Sequence, residues 1–76
     1  MDAFTTTDNV LAGYLEYSGF PIVGMTHRGW RATFEFENTD ELKAAVAMFD
    51  RKDATVEPID FYESVRHVVS KAQRKS

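Results

Sequence analysis

The chain has 76 residues and no cysteine, which limits it to one domain and excludes disulfide staples and thiolate metal sites. Its 43% hydrophobic and 28% charged content argues against wholesale disorder, and with no apolar run of membrane-spanning length and no signal-peptide pattern a cytoplasmic protein is expected. The net charge of −3 is unevenly spread: four of the nine basic residues and none of the twelve acidic ones follow Ser64, so the end carries +4 and the remainder −7.

Asp2 to Thr6, with Phe4 and threonines following, suits a brief first strand. Thr7 or Asp8 can cap a helix running from about Asp8 to Ser18, where Val10, Leu11, Tyr14 and Leu15 repeat at helical spacing. Gly13 sits inside that helix, where glycine costs about 1 kcal/mol relative to alanine, and a close backbone neighbour would justify it. Gly19 suits the left-handed position after the helix, with Phe20 folding back on Leu15.

Phe20 to Thr26 reads as a strand at a sheet edge, because Pro21 removes an amide donor. His27-Arg28-Gly29 is a tight connection in which Gly29 accepts positive φ. In Trp30-Arg31-Ala32-Thr33-Phe34-Glu35-Phe36-Glu37 the even positions are apolar and the odd ones mostly polar. This predicts a strand with one buried and one wet face.

Asn38 or Thr39 caps the next helix, with Asn38 and Glu41 approximating a capping box. Leu42, Ala45, Val46 and Phe49 form its apolar stripe, and Arg51 and Lys52 fall in its last turn. A short strand is expected around Val56. Pro58 then opens a third helix with Phe61, Val65, Val68 and Ala72 as its stripe, widened by Tyr62 and Val69.

The expected fold is a single α+β domain over residues 1–76, in the order β-α-β-β-α-β-α. This is a small ferredoxin-like or split βαβ arrangement with the central hairpin 20–37 packed on three helices. The wet face of the central strand carries Arg31, Glu35 and Glu37, a poor seat for the third helix. That helix should pack beside the other two, along an edge, or against another chain.

Three groups of residues form a pattern. Thr6-Thr7-Asp8 precedes Ala12, Leu15 and Gly19-Phe20; Phe34-Glu35-Phe36 precedes Asn38-Thr39-Asp40-Glu41; Ala54-Thr55-Val56-Glu57-Pro58 precedes Phe61 and Arg66. Together they resemble a family of small proteins of unknown function from bacteria and their phages. The resemblance covers most of the chain. It implies a short accessory protein of a phage or mobile element and carries no catalytic role.

Chemistry-bearing constellations are sparse. Two separated histidines, His27 and His67, fall short of a metal site. Ser18, Ser64 and Ser70 lack a nucleophile elbow, and the four glycines form no phosphate loop. No enzyme activity, cofactor or metal is expected.

Arg28-Gly29-Trp30 resembles the opening of the RNP1 motif, in which sheet aromatics stack on bases. Ala32 stands where a second ring belongs, and the acidic body opposes phosphate. A nucleic-acid contact would use Arg28, Trp30, Arg66, Lys71, Arg74 and Lys75. The favoured expectation is a non-enzymatic module that contacts a host or phage protein through Tyr14, Tyr17, Trp30 and Tyr62, since large rings dominate interface energetics. A homodimer through the third helix is a further possibility.

Overall fold

In the computed structural model residues 3–29 and 31–73 are described. The elements are β1 (Ala3–Thr6), α1 (Asn9–Tyr17), β2 (Ile22–Arg28), β3 (Arg31–Glu37), α2 (Asp40–Asp50) and α3 (Pro58–Gln73). The sheet order is β1-β3-β2, with β3 antiparallel to both neighbours. β1 and β2 are therefore parallel, with β3 inserted between them. This is the split βαβ core expected of the sequence, in an α+β domain.

The alternation read from β3 is real. Ala32, Phe34 and Phe36 are buried, while Arg31 and Glu37 are exposed. Phe4 and Ile22 flank Phe36, and Met25 and His27 pair with Phe34 and Ala32. The inward residues of β2 change from even to odd positions because the register shifts between Ile22 and Gly24. A bulge of this kind sets two residues against one and reverses the parity of all that follows. Val23 is left exposed, and the Glu35 side chain lies over Gly24.

The helix ends follow local rules. Asp8 Oδ1 accepts from the amides of Val10 (2.9 Å) and Leu11 (3.3 Å). At the other end of α1, Phe20 N–H donates to Leu15 O and Gly19 N–H to Glu16 O, with Gly19 at φ +100°. These two bonds define the Schellman ending expected there.

Thr39, not Asn38, caps α2, accepting from Leu42 N–H at 3.1 Å. The Asn38–Glu41 capping box does not form, and Asn38 Oδ1 is buried with no hydrogen-bond partner among the described residues. Arg51 and Lys52 lie just past the last turn of α2, as its C-cap and the residue after it.

Lys52 takes the left-handed position of a second Schellman ending. Its φ is +62°, its N–H donates to Phe49 O, and Asp53 N–H donates to Met48 O. A non-glycine residue there carries a steric cost of about 1 kcal/mol or more. Lys52→Gly is therefore expected to raise stability by about 0.5–1 kcal/mol in urea titration with the slope unchanged. An equal loss would show that the lysine side chain contributes more than its backbone costs.

Two expectations are corrected. The fourth strand does not form: residues 53–57 run without regular structure. Glu57 instead serves as N-cap of α3. Its carbonyl accepts from Phe61 N–H (2.9 Å) and its carboxylate from Asp60 N–H (2.8 Å), while its own N–H donates to the Tyr17 hydroxyl (2.8 Å). Its backbone is committed to helix and latch rather than to a ladder. The strand expected over Phe20–Thr26 begins at Ile22 and continues through His27 and Arg28, so the connection is tighter than foreseen. Gly29 has φ +62° there, as expected. Trp30 lies outside the described residues.

The third helix has a seat within the same chain. α3 crosses α1 at Gly13, where an added Cβ would lie 2.6 Å from Val65 Cγ2 and 2.9 Å from Val65 Cα. Phe61 meets Tyr17 edge-on (ring centroids 6.1 Å, planes at 89°), Val68 is fully buried, and His27 Nε2–H donates to Ala72 O at 2.7 Å. The wet face of the sheet is avoided, as its charges require. Among the described residues, no helix is long and apolar enough to cross a membrane.

Candidate functional site

An open, mainly apolar groove of about 490 Å³ lies beside α1. Val10 and Tyr14, one turn apart on α1, form one wall. Phe49 and Asp50 come from the end of α2, Lys52 from its left-handed cap, Ala54 and Val56 from the connection, and Phe61 from the start of α3. The rings of Tyr14 and Phe49 pack with centroids 5.4 Å apart and planes tilted by 36°. Val10 stands 45% exposed, while Tyr14 is buried. The groove is thus ring-lined, with an aspartate and a lysine among its lining residues.

Local structure explains why this groove stays open. The Schellman ending of α2 turns the chain sharply at Lys52. The Tyr17–Glu57 bond fixes the far end of the connection. Between them, Ala54 and Val56 are half-buried against the core. A six-residue span, 52–57, held at both ends has little freedom to collapse.

The four candidate contact residues are not gathered in one place. Tyr14 belongs to this groove. Tyr17 is a latch: its hydroxyl accepts from Glu57 and its ring meets Phe61, another groove residue. Tyr62 is 60% exposed and lines a different concavity along α3, of about 470 Å³, with Val65, Arg66 and Val69. Arg66 lies over the Tyr62 ring, 5.8 Å from its centroid, within cation–π range. Trp30 is outside the described residues. The sequence reading missed Phe49, Val56 and Phe61 as groove residues because their helical spacing or strand-like composition reads equally well as core. The available signal was the apolar pair Ala54 and Val56 in a segment too short to pair.

The basic candidates are also dispersed. Arg28 is exposed at the end of β2, opposite Arg31. Arg66 is engaged with Tyr62. Lys71 Nζ lies 4.0 Å from Glu16 Oε2, and His67 Nε2 lies 3.8 Å from Glu16 Oε1. Both pairs are partly solvated and contribute little on their own. Arg74 and Lys75 lie outside the described residues. Phe34 and Phe36, the rings at the RNP1-like strand, are fully buried and offer no stacking face. Among the described residues, no group of three or more histidine, aspartate or glutamate side chains is arranged to hold a metal ion.

No curated protein and no solved structure matches the chain. A family model described as "Domain of unknown function (DUF5659)" matches residues 1–74. That match spans nearly the whole chain, and the protein belongs to the DUF5659 family.

Proposed function

We propose that this domain is a non-enzymatic protein-interaction module, an accessory protein of a phage or mobile element acting in the cytoplasm. It takes an apolar side chain or short apolar segment of a partner protein into the groove between α1, the end of α2 and the 52–56 connection. The observation that carries this reading is the ring-lined groove with Val10 exposed beside buried Tyr14. An apolar centre with charged groups near it is the anatomy of a protein contact. Phe49 and Phe61 supply the large rings on which such contacts rest.

The test compares capture from host lysate by the unaltered chain, by Val10→Asp and by Tyr62→Ala, each with and without nuclease. Val10 is exposed, so the aspartate leaves the fold intact while charging the groove. Capture of a specific protein is expected to fall roughly tenfold or more with Val10→Asp, a loss of about 1.4 kcal/mol. It is expected to survive both Tyr62→Ala and nuclease. A partner retained equally by Val10→Asp would remove the groove from the account.

The nucleic-acid alternative rests on Arg28, Trp30 and the basic end of α3. It predicts the opposite pattern, with nuclease-sensitive capture and binding that weakens steeply with salt. Burial of Phe34 and Phe36 and the proximity of Glu16 to Lys71 weigh against it.

A further inference from the structure

The concavity along α3 is separate from the groove and differs from it in charge. Tyr62, Arg66, Val69 and Gln73 recur three and four residues apart on one face of α3, with Val65 and Ser70 completing the wall. Val65 also closes on Gly13, so the crossing of α1 and α3 holds this wall in place. None of the six lining residues is acidic. From Ser64 onward the chain carries four basic residues and no acidic one. Lys71 is turned toward Glu16, at 4.0 Å. The Arg66 guanidinium lies over the Tyr62 ring and, among the described residues, makes no ion pair or hydrogen bond. A cation–π contact draws on the charge and leaves most of the five N–H donors unused. A two-pronged donor is thus presented between an exposed aromatic ring and a half-buried valine.

We propose that this concavity takes an acidic segment of a protein partner, in which a carboxylate side chain stands next to an apolar one. The carboxylate accepts two parallel N–H bonds from Arg66, the geometry that suits a planar guanidinium. The apolar neighbour covers Tyr62 and Val69. Charge complementarity names this occupant: a wall without acid, at the +4 end of the chain, attracts carboxylates and repels a basic segment. A nucleic acid fits less well. It needs several cations along its backbone, and Lys71 is already drawn to Glu16.

The test is an NMR titration of the full chain with a short synthetic peptide in which leucines alternate with aspartates and glutamates. Saturable shifts are expected at the amides of Tyr62, Arg66, Val69 and Gln73, and added salt should weaken binding. The same peptide with asparagine and glutamine in place of the acids should bind at least roughly tenfold more weakly. Arg66→Gln should lower affinity for the acidic peptide by about the same factor. Arg66→Lys should restore only part of it, since the ammonium keeps the charge without the fork. Lys43→Gln, the same charge change at an exposed position of α2, should leave affinity unchanged. Arg66 is exposed, so the fold should survive its replacement, which circular dichroism checks. Equal binding of the amide peptide, shifts outside α3, or an affinity untouched by Arg66→Gln would overturn the proposal. So would the same shifts produced more strongly by a single-stranded DNA oligonucleotide, or by raising the protein concentration alone.

Discussion

Phe34→Ala is expected to cost about 3–5 kcal/mol, the range for deleting a fully buried aromatic side chain. Phe34 has no exposed surface and sits on the central strand, opposite Thr6 on one side and Met25 on the other. A 76-residue domain has a total stability of about 4–11 kcal/mol. The variant should therefore lose its near-ultraviolet dichroism and unfold over a broad, early thermal transition. Thr33→Ala, one residue away on the opposite face, should cost no more than about 1 kcal/mol. Reversed magnitudes would mean that the strand presents its rings to water, and a base-stacking platform would then return to consideration.

The second large effect is expected at Gly13. In an isolated helix, alanine there would gain about 1 kcal/mol. Here the added carbon would meet Val65 at Cγ2, Cα and N, at 2.6, 2.9 and 3.2 Å. The valine methyl can rotate away, but the backbone of α3 cannot. Relief requires moving α3 off α1, which loosens the Phe61–Tyr17 contact and the His27–Ala72 bond. Gly13→Ala should thus lose about 2 kcal/mol net, and the melting temperature should fall by roughly 10 °C. Adding Val65→Ala should recover only part of the loss, since Cα and N remain. A variant more stable than the parent would show that the helices do not cross closely at this point.

The same pair of elements shows how far the sequence could be read. The lone glycine in a helical run of buried side chains signals a close neighbour, but its identity is 52 positions away and leaves no local trace. Likewise, Ala54-Thr55-Val56-Glu57 has the composition of a strand, and by propensity alone it should pair. It does not, because the Tyr17 hydroxyl and the cap duty of Glu57 claim its end. At α2, Asn38 and Thr39 are both able caps, and the choice of Thr39 depends on how the chain leaves β3. The groove was hidden for the same reason. Val10, Phe49, Val56 and Phe61 are scattered in sequence and meet only after α3 has crossed α1.

What the chain determines by itself is short-range. The alternation of β3, the Asp8 cap, the Gly19 ending and the inward stripes of α1 and α2 all arise from steric and hydrogen-bonding preferences within a few residues. Three matters were decided only by tertiary structure: where α3 sits, whether a fourth strand exists, and which apolar residues remain open to a partner. Each depends on contacts between distant segments competing for the same backbone groups and the same buried surface. Local preference is too weak, at a few tenths to about 1 kcal/mol per residue, to settle that competition.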